Sequence, residues 1–472
     1  MSEEFLWSRG FLLIKEEIGI ELPRHWELIE IEEWKFYYDS RVDVGYKKNE
    51  KSFVLIFGDV VSPEGMEINI NEIAHEALEK IGNDDDYEKF NQYYFNLVGR
   101  FLLLYYHKEE IRLRQDAGGS RSIFYMENSP GLISSHLDIL TKNLDLKREK
   151  FSFLDKKSYS KGVKCFPGNV TPRLGAVQLT PNLDLVLSNN TISRFFPYKN
   201  LPIYKQNKTE IEIINILNSV VELLVRKYES PIVSLTAGID SRLTCSVCVK
   251  FNKSLKFFTY YNSKNKIFDI DLLTSRYIAM ENNLNHYELD RAIETEIKLD
   301  SIIEIKRNSF LNNGKKLSLL YQKTFSENDL HIRSNMGEIG RSVFRRNHGE
   351  INIRNGKDMC KIWKPGLHDD KECNLIFEKF YNERWSKMNS YDLDLLDLFY
   401  WEHRMGMWHS NALNESDIAF GTINLFSSHK IIELLLSYPV EMRKSNESFL
   451  SLVGFSSPGM ENIPINSKIK KR

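Results

Sequence analysis

The stretch from Pro231 to Val249 constrains the fold of this chain more than any other. An apolar run, Pro231-Ile232-Val233, enters Ser234-Leu235-Thr236-Ala237-Gly238-Ile239-Asp240-Ser241-Arg242, and Leu243-Thr244-Cys245-Ser246-Val247-Cys248-Val249 continues with helical character. A buried strand, a turn of small hydroxyl-bearing residues and then a helix outline a phosphate site. Backbone N–H groups of the turn and of the first helical turn aim at one point, and the helix dipole favours an anion there. Ser234, Thr236 and Ser241 add hydroxyl donors, while Ala237 and Gly238 allow close approach to the backbone. Asp240 would repel a bare phosphate, so its presence argues for a divalent cation between them. No Gly-Lys-Ser/Thr closes the turn, which excludes a Walker loop. The alternative is an ordinary strand-turn-helix corner.

The following residues predict a parallel sheet. Lys256-Phe257-Phe258-Thr259-Tyr260-Tyr261 reads as a second buried strand. Asp269 to Asn282 reads as a helix with Ile270, Leu273, Tyr277, Ile278 and Met280 as its apolar residues, and Asn285-His286-Tyr287-Glu288-Leu289 as a third strand. Strands alternating with helices pair in parallel and bind ligands at their carboxyl ends.

The Ser234–Arg242 stretch resembles the pyrophosphate-binding loop of the asparagine synthetase family, Ser-Gly-Gly-x-Asp-Ser, with Thr236-Ala237-Gly238 in place of Ser-Gly-Gly. Asp271, Ala279 and His286 stand at the spacings where that family has its Asp, Ala and His. The resemblance implies that residues 201–472 form a parallel-sheet ATP-pyrophosphatase domain of the adenine nucleotide alpha hydrolase kind. Enzymes with this loop split ATP between the α and β phosphates and leave AMP on a carboxylate. On that reading Ser234, Leu235, Thr236, Ala237, Gly238, Asp240, Ser241 and Arg242 hold ATP and pyrophosphate, and Asp240 holds Mg2+.

Earlier in the chain, Phe53–Phe57 and Phe101–Tyr106 read as strands. The second turns through residues 107–110 into Ile111–Arg114, a hairpin pattern. The segment from Asn96 to Tyr125 resembles the glutamine amidotransferase domain that precedes the synthetase domain in this family; Gly99, Phe101, Asp116, Gly119, Arg121 and Tyr125 carry the match. Gly168–Leu174 and Gln178–Asn182 fit its final strands, and a linker follows near residues 198–207. The implied fold class is α/β, with residues 1–200 an Ntn-type α+β sandwich. Active members place a cysteine directly after the initiator Met as nucleophile, with its own α-amine as base. This chain has Ser2 there, its first cysteine is Cys165, and only Phe57-Gly58-Asp59 stands near the place of the family's Asn-Gly-Glu signature. The expectation is a scaffold without glutaminase activity, as in β-lactam synthetases and lasso-peptide cyclases.

Three further segments bear on the chemistry. His331-Ile332-Arg333-Ser334-Asn335-Met336-Gly337-Glu338-Ile339-Gly340-Arg341 resembles the family's Ser-Gly-Glu-Gly-x-Asp-Glu, with Glu338 on the last Glu. Ser334 and Gly337 then replace two carboxylates. Glu338 and Arg341 are the candidate catalytic pair, Glu for metal or amine and Arg for phosphate or carboxylate; an ion pair at i, i+3 on an exposed helix is equally open. Tyr400–His409 reads as a packed helix seam with Trp401, Met405 and Trp408 on one face. After Asn424–Ser428, a helix over Lys430–Ser437 and Pro439–Lys444, the family carries a lysine for the leaving pyrophosphate. None stands in Ser445–Leu450, so Arg443 or Lys444 is the expected substitute. Cys245 and Cys248 read as two buried thiols.

Composition sets the remaining bounds. The chain has 472 residues, 42% of them hydrophobic, which is enough for two or three domains with real cores. A net charge of −1 selects neither nucleic acid nor membrane, and the tail Lys468–Arg472 reads as a solvated end. The acidic N-terminus lacks a signal peptide's charge, no apolar run reaches transmembrane length, and five cysteines make no disulfide framework, so the expected location is the cytoplasm. The leading expectation is an ATP- and Mg2+-dependent amide-forming ligase. Its partners would be a small-molecule or peptide carboxylate and an amine donor, with homodimerisation open. A nucleotide-binding, catalytically degenerate partner subunit and a thiolation enzyme using Cys245 and Cys248 are the alternatives.

Overall fold

A computed structural model describes residues 5–17, 19–82, 87–160, 165–264, 269–292, 307–311, 315–349, 351–385, 388 and 391–466. Ser2 and the tail Lys468–Arg472 lie outside the described residues. In the first half the strands are β1 (Phe11–Ile14), β2 (Trp26–Ile31), β3 (Trp34–Asp39), β4 (Val44–Lys48), β5 (Phe53–Val61), β6 (Val98–His107), β7 (Glu110–Gln115), β8 (Phe124–Met126), β9 (Leu132–Ser134), β10 (Ala176–Gln178), β11 (Leu183–Val186) and β12 (Thr191–Arg194). They form two antiparallel sheets, ordered β10-β8-β9-β1-β3-β2 and β12-β11-β7-β6-β5-β4.

The period-two alternation of strand side chains explains the layering. Phe11 and Leu13 of β1 and Phe53, Leu55 and Phe57 of β5 fill one core between the sheets. Leu12 and Ile14 face a second core with Leu137 and Leu140 of the helix Leu137–Leu144, and Val54 and Ile56 pack with Ile73 and Ala77 of the helix Ile70–Gly82. At β1 and β5 both faces are therefore covered, which is why these strands read as apolar runs rather than alternating ones. The β6–β7 hairpin pairs His107 with Glu110, and its two loop residues, Lys108 and Glu109, have φ of 50° and 63°. Those are the dihedrals of a turn matched to strand twist, which usually selects Asn-Gly.

The second half contains β13 (Ile232–Ser234), β14 (Lys256–Tyr261), β15 (His286–Asp290), β16 (Leu330–Arg333) and β17 (Gly421–Asn424), ordered β15-β14-β13-β16-β17 with all pairings parallel. The chain builds outward from β13 to β15, then returns to the other side of β13 and builds outward again. The strand order reverses between β13 and β16, and the loops leaving their carboxyl ends splay apart there.

Two sequence expectations need correction. The helix forms at Asp269–Glu281, but Leu273, Tyr277 and Met280 are exposed (53%, 36% and 71%), and the buried face is Leu272, Thr274, Ser275, Ile278 and Ala279. Small polar residues win the sheet-facing side because Ser275 Oγ donates to the Asp271 and Leu235 carbonyls. Tyr400–His409 is a π-helix, whose wider turn breaks the expected face. Trp401 and Met405 are buried, while Trp408 is half-buried on the outer side beneath Arg404.

The two halves meet through buried polar contacts. Arg100 Nη2 donates to Asp417 Oδ2 at 2.8 Å and to Asn414 Oδ1 at 3.1 Å. Glu402 accepts from Asn182 Nδ2, Arg194 Nη1 and Trp385 Nε1 at 3.0, 2.5 and 2.8 Å. Asp116 accepts the N–H groups of Gly118, Ser120 and Arg121 within its own loop and the Ser427 hydroxyl from across the junction, at 2.9–3.2 Å. Among the described residues, no helix is long and apolar enough to cross a membrane.

Candidate functional site

The site sits where the strand order reverses, and three elements build it. The first is the turn after β13. Ser234, Thr236, Gly238 and Asp240 are half-buried, whereas Leu235, Ala237, Ser241 and Arg242 are buried. Leu235 anchors the turn, its N–H donating to the Phe258 carbonyl at 2.8 Å and its own carbonyl accepting the Thr259 hydroxyl at 2.7 Å. Ser241 Oγ accepts the Thr236 N–H at 3.1 Å and lies 2.8 Å from Thr236 Oγ1, which accepts the Gly238 N–H at 3.2 Å. Asp271 Oδ1 accepts the Ala237 N–H at 2.8 Å. The hydroxyls expected to greet phosphate thus hold the turn in shape. The helix Ile239–Cys248 begins at Gly238 without a side-chain cap, leaving its positive end to an outside anion.

The second element follows β16. Gly337–Arg341 forms a single 3-10 turn. Arg341 Nη2 donates to Asp240 Oδ2 at 2.5 Å, so its ion pair runs across to the first loop and not to Glu338 as an i, i+3 pairing would have it. Glu338 Oε1 accepts from Asn335 Nδ2 at 3.4 Å; its Oε2, like Asp240 Oδ1, is buried without a partner. Gly337 makes room for this approach: a Cβ there would stand 3.0 Å from Asp240 Oδ1. The third element is Asn446, at φ 68° between two short helices. Its Oδ1 accepts from Arg341 Nη1 at 3.2 Å and Arg346 Nη1 at 3.1 Å, bringing two guanidinium groups together beside Asp240.

Burial raises the Asp240 pKa above the ordinary aspartate value; Arg341 pulls it back down, and the negative field of Glu338 raises it again. Two carboxylates with an unpartnered oxygen each, beside two arginines and a bare helix N-terminus, can bind a polyanion together with a divalent cation. Among the described residues, no group of three or more His, Cys, Asp or Glu side chains could hold a metal. Mg2+ characteristically takes one or two carboxylates and completes its shell with water and phosphate oxygens. Asp240 Oδ1 and Glu338 Oε2 fit that smaller donor set.

Several sequence-read residues do other work. The Arg242 guanidinium, expected on pyrophosphate, bonds the carbonyls of Ile463, Pro464 (2.8 Å) and Ala237 (3.4 Å) and ties the C-terminal segment to the loop. Arg443 Nη1 is buried against Asp397 at 2.5 Å and Ser342 at 2.6 Å, and Lys444 pairs with Glu441 at 3.0 Å. Both are engaged by carboxylates away from the loop; the cation on Asp240 is Arg341. His286 Nε2 lies 2.9 Å from the Thr259 hydroxyl, a structural contact. Burial raises the thiol pKa values of Cys245 and Cys248. Sequence reasoning missed Arg346 and Asn446. A positive φ at an Asn between two helical runs is a familiar signal, but what that Asn would face was not legible. Cavities of about 1030, 590, 440 and 290 Å³ open elsewhere, none of them lined by a residue of the Ser234–Arg242 loop.

No protein-family model matches the chain. No curated protein matches it either. Among solved structures, glutamine phosphoribosylpyrophosphate (PRPP) amidotransferase from B. subtilis, complexed with ADP and GMP, matches 73% of this chain and 72% of its own length at 9% identity and a TM-score of 0.22. A superposition that loose carries no argument about fold or activity.

Proposed function

We propose that the chain is an ATP-dependent, AMP-forming ligase that joins a carboxylate to an amine, with an asparagine-synthetase-like site in residues 201–472 and an Ntn-type sandwich without glutaminase activity in residues 1–200. One observation carries the reading: the Ser234–Arg242 loop leaves the central strand at the strand-order reversal and points Asp240 at Glu338 and Arg341. ATP would lie with its phosphates at the N-terminus of the helix Ile239–Cys248 and beside Arg341 and Arg346. Asp240 and Glu338 would hold Mg2+, whose chemistry there would be neutralisation of phosphate charge. Arg341 would then move from Asp240 to phosphate, exchanging one anion for another.

ATP–pyrophosphate exchange with Mg2+ and a panel of carboxylates tests this. Exchange with one acid, lost in Asp240→Ala, supports the ligase. Asp240→Ala with full AMP production refutes it.

The second reading, a nucleotide-binding subunit without turnover, draws on the same geometry. Asp271 occupies the Ala237 N–H and Arg341 occupies one oxygen of Asp240, so two of the groups a turning-over site would offer already have partners. ATP binding with no exchange across the panel favours that reading.

A further inference from the structure

The junction of the two halves holds a cavity of about 290 Å³. Its walls come from the helix Leu137–Leu144, the loops carrying Arg148 and Arg173, residues 307–310, and Asn411 of the helix Ser410–Ser416. Arg148, Arg173 and Arg307 line it with a single acid, Asp138, although the whole chain carries a net charge of only −1. That acid is already engaged: Trp7 Nε1 and Lys142 Nζ stand 3.1 and 3.4 Å from its Oδ2.

The backbone forces two of the arginines together. Arg148 and Arg173 oppose each other in an antiparallel bridge. It is held on either side by the Glu149 N–H donating to the Pro172 carbonyl and the Leu174 N–H donating to the Lys147 carbonyl, each at 3.0 Å. Directly opposed residues of an antiparallel pair send their side chains to one face, and like charges there are destabilising. Arg173 Nη1 donates to the Leu146 carbonyl at 3.2 Å, and none of the three arginines has a carboxylate partner among the described residues. Arg307 enters half-buried from the second half of the chain. Three guanidinium groups with no counter-ion suit an anion carrying more than one charge. Asn411, fully buried, supplies a second and independent signal. Gln178 Nε2 donates to the Gly406 carbonyl and the Ser410 hydroxyl, so Gln178 Oε1 has to accept; Asn411 Nδ2 donates to it at 2.9 Å and to the Met407 carbonyl at 2.7 Å. The amide orientation is thereby fixed, and Asn411 Oδ1 is left as a buried acceptor without a partner. Such an atom in a cavity wall calls for a donor from whatever fills the cavity. Phe310 closes the apolar side, its ring centroid 6.0 Å from that of Phe124 and 5.5 Å from that of Phe166.

We infer that this cavity binds a small phosphate monoester. Arg148, Arg173 and Arg307 share its phosphate, whose charge at neutral pH approaches −2, and a hydroxyl or ammonium group of its body donates to Asn411 Oδ1. The site stands on its own lining and does not depend on the nucleotide chemistry proposed above.

Isothermal titration of the full-length protein without nucleotide tests it. The probes are glycerol 3-phosphate and phosphoethanolamine, compared with inorganic phosphate, glycerol and ethanolamine. At least one monoester is expected to bind about fivefold or more tighter than inorganic phosphate, because its body adds the bond to Asn411. Glycerol and ethanolamine, lacking the phosphate, are expected to give no heat of binding. Arg148→Met and Arg307→Met are each expected to weaken the monoester about tenfold or more, through the loss of a charge-assisted bond. Arg148 is exposed, so its variant keeps the test valid if Arg307→Met does not fold. Arg341→Met, which alters the Asp240 cluster, is expected to leave the affinity within about twofold and so separates this cavity from the site proposed for ATP. Failure of both monoesters to bind at millimolar concentration, binding no tighter than inorganic phosphate, unchanged affinity in Arg148→Met, or binding abolished by Arg341→Met would each overturn the inference.

Discussion

Arg341→Met removes the cation from a carboxylate that burial has already made reluctant to ionise. The two side chains are 13% and 16% exposed. Unit charges about 4 Å apart attract by about 4 kcal/mol at an effective dielectric of 20. Partial exposure and the desolvation of both groups bring the expected contribution nearer about 3 kcal/mol. With Arg341 gone, burial and Glu338 push the Asp240 pKa upward from a value already near 7, opposed by a backbone hydrogen bond in the loop. About 3 kcal/mol is about two pKa units. A carboxyl raised in the folded state costs stability as pH climbs from its unfolded value to its folded one. Below about pH 6, Asp240 is protonated with or without Arg341, and the variant loses little beyond a hydrogen bond. From about pH 7 to 9 the wild-type carboxyl is ionised while the variant's is still titrating, so the gap widens by about 1.4 kcal/mol per pH unit. Urea unfolding followed by tryptophan fluorescence across pH 5–9 measures this, with Asp240→Asn/Arg341→Met as the control in which the slope vanishes. A penalty that is flat across the range, or one unchanged by adding Asp240→Asn, would refute the electrostatic account.

Other perturbations have equally definite outcomes. Burial lowers the pKa values of His136 and His403 to about 3 and depresses those of His331, His409 and His429 as well. The unfolded chain therefore takes up more protons below about pH 6.5, each histidine removing up to about 1.4 kcal/mol per pH unit. Asp240 and Asp397, raised to about 7 and about 6, act the other way together with Asp116 and Glu433, which burial also raises; the five histidines, joined by His286 and His348, which burial lowers too, outnumber these four acids, and the urea midpoint should fall between pH 6.5 and 5. Arg242→Met should cost about 2–4 kcal/mol and expose the Ile463–Asn466 segment to proteolysis before the rest of the chain unfolds. Arg100→Met leaves Asp417 buried and unpaired at the junction of the two halves, a loss of about 3–5 kcal/mol measurable by urea titration. Gly340→Ala would put a Cβ 2.7 Å from Leu435 Cβ, and the strain of about 1–3 kcal/mol should appear as a lower Tm.

Sequence alone determined the elements whose signal is local. The apolar runs of β5, β6, β13 and β14 are each sharply enough bounded to be strands, and their boundaries fall within a few residues of those read. The Ser234–Arg242 loop was legible for the same reason: a strand, a hydroxyl-rich turn and a helix are adjacent in the chain. Tertiary structure decided whatever depends on which face meets which neighbour. The helix Asp269–Glu281 buries its Ser and Thr side and exposes Leu273 and Met280, because carbonyls of the neighbouring loop reward hydroxyls there. Arg242 and Arg341 look interchangeable in the sequence, each an arginine near an acid. One is drawn to the carbonyls of a segment 221 residues away and the other to Asp240, 101 residues away. A guanidinium bonds whatever acceptor packing brings within reach, and that choice is made between distant elements, where a local pattern holds no information.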